Sequence, residues 1–319
     1  MNAFTPAVSY GAIGGAIVLV AGAPVIRLLR ALQVRQHAYE DAPATHRAKT
    51  GTPTMGGVLF VAALVPLLFA DLGAAAAAIF WTVAGCAAIG FLDDLLAVRR
   101  AQNRGLRARS KYLATMIIGL LFLSRADALG VPHDVLVRAG AFTIHAPHAV
   151  WVIVCLLALT GTMHAVNLTD GLDGLAAGSM IPPLVVTAVL GAAFGNPTAA
   201  AASALGAGTC AAFLVFNRHP ARLFMGDTGS LALGALLACV AIMEGEVLLL
   251  PVIGAVFVAE ALSVIAQVAY FKATGGKRLL RMSPLHHHFE LGGMKEPDVT
   301  YRFWLASAVG SALGWAIAR

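Results

Sequence analysis

The sequence predicts an all-α polytopic membrane protein. Hydrophobic residues make up 59% of the 319-residue chain and charged residues only 12%, a balance far from that of soluble domains. Apolar stretches recur along the chain, and each is close to the roughly 20 residues that a helix needs to cross the hydrocarbon core. We therefore expect one integral membrane domain over residues 1–319.

About ten membrane-spanning helices are expected, of which the fourth and eighth are short. The first apolar stretch has no basic segment before it and runs directly into Arg27 and Arg30, so we interpret it as a span and not as a cleavable signal. The predicted spans lie near residues 10–29, 55–70, 75–97, 111–124, 149–164, 174–194, 198–216, 229–243, 247–271 and 302–318.

The distribution of positive charge predicts the orientation of these helices. With ten spans and an outward N-terminus, only Arg125, Arg138 and Arg319 lie outside, which leaves 19 of the 22 Lys and Arg residues on one side. Positively charged loops stay in the cytoplasm, so both termini should face outward from the bacterial cytoplasmic membrane. The net charge of +6 then forms a one-sided basic surface, which suits anionic lipids and phosphorylated substrates better than nucleic acid.

The four cysteines carry no evident function. Cys86, Cys155, Cys210 and Cys239 all lie inside apolar stretches, without the spacing of a metal site. They are predicted to be buried packing thiols.

Two acidic strings lie at predicted inner ends of spans. Asp93 and Asp94 are adjacent, and such a pair must be hydrated, ion-paired or bound to a cation; a hydrated helix end is the simpler alternative. Residues 167–174 read NLTDGLDG, in which Asp170 and Asp173 share a face on a helical turn and the glycines permit close approach of a ligand. Helix capping could explain one of these carboxylates, but not the whole polar string.

Three further polar strings lie on the same predicted face. Asn217 is followed by FMGDTGS over residues 224–230, where Asp227 could instead cap a helix. Residues 284–290 read PLHHHFE; three consecutive histidines cannot all point one way on a helix, so a phosphate or sugar site fits them better than zinc, and a solvated loop stays the alternative. Residues 49–57 read KTGTPTMGG and lack the spacing of an ATPase phosphate loop.

Together the five strings supply the groups that phosphoryl chemistry needs. Carboxylates can hold a hard cation, lysine and histidine can bind phosphate, and an aromatic ring can stack on a base. Mg²⁺ prefers a few carboxylates together with substrate phosphates. A metal and basic side chains would offset the repulsion between two phosphates, so the sequence predicts phosphoryl-group chemistry at the cytoplasmic face.

The strings resemble the polyprenyl-phosphate N-acetylhexosamine-1-phosphate transferase superfamily, and within it the phospho-N-acetylmuramoyl-pentapeptide transferase (MraY) family. The resemblance spans residues 49–304 and is carried by residues 49–57, 167–176, 224–234 and 282–290. The PLHHHFE string matters most, because it separates this family from relatives that transfer GlcNAc-1-phosphate.

The resemblance implies a reaction. Phospho-MurNAc-pentapeptide would move from UDP-MurNAc-pentapeptide to undecaprenyl phosphate, giving lipid I and UMP with Mg²⁺, in peptidoglycan biosynthesis. A homodimer is also suggested by the resemblance. One in-line displacement by the lipid phosphate is favoured, and a covalent aspartyl-phosphate route stays open.

The resemblance also implies residue roles. Asp227 would be the Mg²⁺ ligand, and it would act in catalysis together with Asp93, Asp94, Lys111 and His286. The implied substrate-binding residues are Lys49, Thr54, Asn167, Asp170, Gly171, Leu172, Asp173, Asn217, Phe224, His287 and His288.

One position departs from the family pattern. The family usually has a lysine three residues after the second aspartate of the Asp93-Asp94 pair, and here that residue is Ala97. Among Arg99, Arg100 and Lys111, we expect Lys111 to supply the missing cation, because its own sequence context matches the family.

Two other functions compete with this one. A sister transferase that uses UDP-GlcNAc differs only in substrate. A secondary transporter would also have Gly- and Pro-interrupted spans and an intramembrane acid such as Glu260. Transporters place their polar sites near the midplane, however, whereas the polar strings here lie at the predicted inner face.

Overall fold

The fold is a bundle of helices with one small β-hairpin. The computed structural model describes residues 4–34, 49, 51–100, 105–139 and 142–319. The helices of the described residues are α1 (Phe4–Ala31), α2 (Val58–Leu64), α3 (Gly73–Arg99), α4 (Ala108–Leu123), α5 (His148–Thr169), α6 (Leu175–Ala193), α7 (Pro197–Asn217), α8 (Gly226–Glu244), α9 (Leu250–Ile253), α10 (Ala255–Ala273), α11 (Leu285–Glu290) and α12 (Glu296–Ala318). Short 3₁₀ turns cover Val65–Leu68, Asp127–Leu129 and Val247–Leu249.

Seven helices within the described residues are long and apolar enough to cross a membrane, and they lie in α1, α3, α5, α6, α7, α8 and α10. This finding confirms a multi-pass helical membrane protein. The predicted spans near 55–70 and 111–124 fall on helices that are shorter, α2 with its 3₁₀ turn and α4. The last predicted span falls on α12, which begins earlier than expected, at Glu296.

Helix α8 forms the centre of the bundle, and 89% of the residues in its most apolar segment are buried. It packs against α3 and α5, and small residues allow these close approaches. A Cβ at Gly234 would lie 2.5 Å from the Met163 Cα of α5, and a Cβ at Gly90 of α3 would lie 2.1 Å from the Asp227 carbonyl oxygen. The start of α8 is therefore held tightly against the C-terminal part of α3.

The ninth predicted span is not one continuous helix. Residues 247–271 form a 3₁₀ turn, the short helix α9 and then α10, with the break at Gly254. Pro251 lies in the first turn of α9, where a missing N–H is tolerated, so it marks the start of a new helix after the 3₁₀ turn. The cysteines agree with their prediction, because all four are buried free thiols.

The long loop near residues 125–148 contains a β-hairpin that the all-α prediction missed. Strands β1 (Val135–Ala139) and β2 (Phe142–His145) pair antiparallel, with Val137 opposite Ile144. The pairing is irregular between Val135 and Val137. Strands of four or five residues are too short for an alternating pattern to stand out beside the long apolar helices.

Candidate active site

Four helix ends meet where the acidic strings lie. The C-terminal part of α3 brings Asp93 and Asp94, the first turn of α4 brings Lys111, the end of α5 brings Asn167, and the start of α8 brings Asp227. Residues from three of the five strings, together with Lys111, therefore lie side by side although they are far apart in the sequence. We call Asp93, Lys111, Asn167 and Asp227 the carboxylate cluster.

The two adjacent aspartates have different partners. Asp94 faces the first turn of α8, where its Oδ1 accepts the Asp227 N–H at 3.0 Å. Its Oδ2 accepts the Thr228 N–H at 3.0 Å and the Thr228 hydroxyl at 2.7 Å. Gly226 has a left-handed φ of 71°, and a Cβ there would lie 2.5 Å from Asp94 Oδ2. Asp94 thus serves α8 in the way a capping residue does, although it belongs to another helix.

Asp93 turns instead toward Lys111. The Lys111 ammonium lies 3.2 Å from Asp93 Oδ1 and makes a very short contact with Asp227 Oδ2. Asp93 Oδ1 also accepts the Leu106 N–H at 2.9 Å. About a quarter of the Asp227 side chain is exposed, 23%, so this carboxylate can be reached by a ligand.

Asn167 fixes the other oxygen of Asp227. Its side-chain amide donates to Asp227 Oδ1 at 2.7 Å and to the Ser230 hydroxyl oxygen at 2.9 Å. The alternative that Asp227 simply caps its own helix does not describe this geometry, because both oxygens bind side chains from other helices. Asp227 is therefore oriented by Asn167 on one side and Lys111 on the other.

Asp170 lies beside the carboxylate cluster, where it accepts a hydrogen bond from the Gly226 N–H. Desolvation, together with the negative charges of Asp227, Asp94 and Asp173, raises the pKa of Asp170 to about 8. Near neutral pH this carboxyl therefore holds a proton for much of the time.

A second charged group surrounds Lys49, and we call Lys49, Asp173 and Glu296 the lysine clamp. The Lys49 ammonium lies 2.7 Å from Asp173 Oδ1 and makes a very short contact with Glu296 Oε1. Asp173 Oδ2 accepts the Ala221 N–H at 3.0 Å and lies 3.1 Å from His219 Nδ1. Both carboxylates are almost fully buried, with side-chain exposures of 1% and 5%.

Asp173, His219 and Glu296 also form the group of potential metal ligands found among the described residues, with ligand atoms within 4.8 Å of one another. The Lys49 ammonium already bonds to both carboxylates. Mg²⁺ moreover prefers oxygen ligands to a histidine nitrogen. This group therefore fits a lysine better than Mg²⁺.

Several predicted substrate-binding residues hold the loops together. The Asn217 side chain accepts the Gly174 N–H at 3.1 Å and donates to the Leu223 carbonyl at 3.0 Å. Leu172 is buried in a small apolar cluster with Leu175 and Val299. These residues join the loop after α5 to the loop after α7 and to α12.

Phe224 and Thr54 lie where two of the strings pair through their backbones. The Phe224 N–H donates to the Pro53 carbonyl at 2.8 Å, and the Phe224 carbonyl accepts the Gly56 N–H at 2.9 Å. The Phe224 side chain is half-buried, whereas Thr54 is buried and donates its N–H to the Val34 carbonyl.

The three histidines of α11 point to different partners, as expected for consecutive helical residues. His286 is buried; its Nδ1 lies 3.2 Å from Glu260 Oε1, which also accepts the His286 N–H. His287 Nδ1 lies 3.1 Å from Glu290 Oε2, and His288 Nδ1 accepts the Arg281 N–H at 3.1 Å.

The His286 ring lies directly against Gly171. A Cβ at Gly171 would be 2.2 Å from His286 Nε2, so the close approach that this glycine permits is to the histidine ring. Burial lowers the pKa of His286, although Glu260 opposes the shift. Glu260 is thus tied to the loop helix α11 and does not form an isolated intramembrane acid.

Comparison with known proteins identifies the family. A family model described as glycosyl transferase family 4 matches residues 76–245, and phospho-N-acetylmuramoyl-pentapeptide-transferase signature 1 matches residues 49–61. A protein of that name from Heliobacterium modesticaldum is 46% identical over 317 residues, covering 96% of each chain. The chain belongs to the phospho-N-acetylmuramoyl-pentapeptide-transferase family. The family resemblance drawn from the sequence is confirmed.

Other relatives agree over nearly the whole chain. The phospho-N-acetylmuramoyl-pentapeptide-transferases of a Synechococcus species and of Caldanaerobacter subterraneus are 45% and 42% identical, and each match covers 92% of this chain. The same two matches cover 86% of the Synechococcus protein and 92% of the Caldanaerobacter protein. Membership of this family, with the seven apolar helices, confirms the predicted multi-pass protein of the bacterial cytoplasmic membrane.

Of the three candidates for the cation that the family lysine would supply, Lys111 contacts the carboxylates of Asp93 and Asp227. Arg100 donates instead to the Gly105 carbonyl at 3.1 Å and is exposed, and Arg99 is exposed as well. Within the described part of the chain, neither arginine forms an ion pair with Asp93 or Asp227. The role of Lys111 as a substitute for the family lysine stays a prediction.

The sequence reasoning missed several residues of the site. The motifs give no sign of the roles of Thr228, His219 and Glu296. His164, one turn before Asn167, was also overlooked; its Nε2 lies 3.2 Å from Thr115 Oγ1 and its ring stacks on Tyr112. A histidine on an otherwise apolar stretch of α5 was the available signal.

Proposed function

We propose that this protein transfers phospho-MurNAc-pentapeptide from UDP-MurNAc-pentapeptide to undecaprenyl phosphate, releasing UMP and forming lipid I. The observation that carries the proposal is the carboxylate cluster, because four helix ends bring two aspartates, a lysine and an asparagine together at one partly exposed point. The names of the relatives, at 42–46% identity over most of the chain, support the donor sugar and its peptide.

Mg²⁺ dependence is part of this proposal, and the residues present fit the ion. The Asp93 and Asp227 carboxylates both contact the Lys111 ammonium, but unlike the buried carboxylates of the lysine clamp, the Asp227 side chain is 23% exposed and can also reach a ligand. Asp227, the more exposed of the two, would hold the ion together with substrate phosphates and water. When bound, Mg²⁺ supplies positive charge against the phosphates, which otherwise repel by about 4 kcal/mol per charge pair at 4 Å and an effective dielectric of 20.

The protein's own residues would position the reacting phosphates. An oxygen of the lipid phosphate attacks the sugar-linked phosphorus of the donor, and the bond from that phosphorus to the UMP oxygen breaks in line. The Lys111 ammonium would contact the phosphoryl oxygens, and Asn167 would keep Asp227 in its orientation. A lipid phosphate is already anionic at neutral pH, so the attack needs little help from a base.

The donor would bind beside this cluster. Lys49 has three N–H donors, of which the clamp uses two, and Phe224 presents a half-buried ring on which uracil would stack. His287 and His288 would contact the sugar or its phosphate. His286 would act by holding α11 against Gly171, since its ring is buried there.

The orientation in the membrane also belongs to the proposal. We place ten spans, two outward termini and the active site on the cytoplasmic face of a single domain over residues 1–319. The charge distribution supports this arrangement. The homodimer implied by the family resemblance stays a prediction.

Two UDP-sugars offered side by side test the substrate. The purified protein in detergent, with undecaprenyl phosphate and Mg²⁺, should convert labelled UDP-MurNAc-pentapeptide to a lipid-linked product and leave labelled UDP-GlcNAc unchanged. Lipid product from UDP-GlcNAc alone would instead favour the sister transferase.

A further inference from the structure

Glu296 lies in the first turn of α12, and its carboxylate points into the lysine clamp. We propose that Glu296 is a positioning residue, which fixes Lys49 and Asp173 for recognition of the uridine-phosphate end of the donor. This inference rests on the proposed function, because it assigns a role within the donor site.

One oxygen of Glu296 holds two groups. Glu296 Oε1 accepts the Asp173 backbone N–H at 2.8 Å and also contacts the Lys49 ammonium. Lysine has a flexible stem that loses much rotamer freedom when it is held in place. Two carboxylates acting on one ammonium therefore fix its position far better than Asp173 alone would, and they leave its third N–H for a ligand.

The loss of Glu296 would also loosen the loop after α5. The Asp173 N–H is buried, and a buried donor without an acceptor is costly. The same loop carries Asp170 and Gly171, so a shift of Asp173 would spread to the residues expected to face the donor. The carboxylate cluster would be less affected, because its members lie on α3, α4, α5 and α8 and not in this loop.

The chain offers two matched controls. Asp298 is an exposed acid in the same turn of α12, so Asp298→Asn removes the same charge without touching the clamp. The Thr300 hydroxyl lies 3.4 Å from the Asp173 carbonyl, so Thr300→Val perturbs the same loop without touching Lys49.

The test measures steady-state kinetics of the full-length protein with UDP-MurNAc-pentapeptide and undecaprenyl phosphate, and UMP binding by calorimetry. Glu296→Gln should raise the donor KM and the UMP Kd by at least tenfold and change kcat by less than about threefold. The KM for undecaprenyl phosphate should stay the same. Asp298→Asn should match the wild type, and Thr300→Val should change the donor KM by less than threefold.

A double-mutant cycle separates positioning from a general structural role. The Gln oxygen can still accept the Asp173 N–H, so Glu296→Gln removes chiefly the charged contact with Lys49. Lys49→Met combined with Glu296→Gln should therefore have a donor kcat/KM within about twofold of Lys49→Met alone. Losses that multiply in the double variant would overturn the inference. So would a Glu296→Gln variant whose donor KM and UMP Kd stay within twofold of the wild type.

If Glu296→Gln does not fold, Glu296→Asp replaces it, because the shorter side chain withdraws the carboxylate by about 1.5 Å while keeping its charge. It should raise the donor KM several-fold, and an unchanged donor KM would contradict the inference. A wild-type protein that makes no lipid product would count against the proposed function. Normal product formation with an unaffected Glu296 variant would count against this inference alone.

Discussion

Asp94 and Thr228 join two helices through one carboxylate, because Asp94 Oδ2 accepts both the backbone N–H and the hydroxyl of Thr228. Oδ1 of the same carboxylate accepts the Asp227 N–H. The residue that we expect to hold Mg²⁺ is thus seated by an aspartate from α3. A helix start in the protein interior is satisfied by a side chain from another helix.

Asp94→Asn should therefore reduce both stability and activity. An amide keeps one acceptor oxygen but turns its NH₂ group toward N–H donors, so we expect a loss of about 1–2 kcal/mol of stability. Asp93→Asn should lower turnover with a smaller effect on stability, since Asp93 accepts the Leu106 N–H only through Oδ1. Thermal unfolding in detergent and initial rates check both variants, and equal stability losses would contradict this distinction.

Lys111→Ala should cut the rate at least tenfold, which corresponds to about 1.4 kcal/mol of transition-state stabilisation. The reason is its contact with both Asp93 and Asp227. Arg99→Ala is the control and should cost much less, because Arg99 is exposed at the end of α3. Initial rates at saturating substrates measure the difference. A large loss of rate in Arg99→Ala, together with an unchanged rate in Lys111→Ala, would show that Lys111 does not replace the missing family lysine.

The pKa of Asp170, raised to about 8 from an ordinary value of 3.8, predicts a pH dependence of stability. The folded protein keeps a proton that the unfolded chain releases, so this contribution is complete below about pH 4 and is lost as the pH rises through about 8. The midpoint of thermal unfolding, without nucleotide or Mg²⁺, should fall between about pH 5 and pH 8 more steeply in the wild type than in Asp170→Asn.

Asp298→Asn is an exposed control for that comparison and should keep the wild-type slope. Equal slopes for the wild type and Asp170→Asn would mean that Asp170 is already ionised in the folded protein.

The predicted orientation can be tested with introduced cysteines, since the four native thiols are buried. A cysteine at Gly292 should be shielded from an impermeant thiol reagent in intact cells, whereas one at His145 should react. Both positions are exposed in the structure, so accessibility depends on the side of the membrane. The reverse labelling pattern would show that the protein has the opposite orientation and that the proposed nucleotide site does not face the cytoplasm.

The sequence predicted those features that depend on the length of an apolar stretch or on a short polar motif. The long apolar helices and the convergence of Asp93, Lys111, Asn167 and Asp227 follow from span length and from polar strings at one predicted face. Which oxygen binds which donor could not be predicted, because it depends on how helices rotate against one another. Asp94 illustrates this limit. It is adjacent to Asp93 and has the same side chain, but its hydrogen-bond partners lie in the first turn of α8.

Residues outside the motifs were harder to find. Glu296 looks like an ordinary acid at a helix start, and His219 follows Asn217 without any special spacing. Their importance appears only when the chain brings α12, the loop after α5 and the loop after α7 to Lys49. The hairpin was missed because short strands leave a weak pattern, and the break at Gly254 because apolar composition continues through it.

The most direct test of the central claim is the Mg²⁺ dependence of lipid product formation in the wild type and in Asp227→Asn. Labelled UDP-MurNAc-pentapeptide, undecaprenyl phosphate and purified protein are mixed with Mg²⁺ or with a chelator, and the labelled lipid is extracted and counted. We expect Mg²⁺-dependent product from the wild type and none from a folded Asp227→Asn variant. Full activity of Asp227→Asn at low Mg²⁺, or wild-type product in the presence of the chelator, would contradict the account.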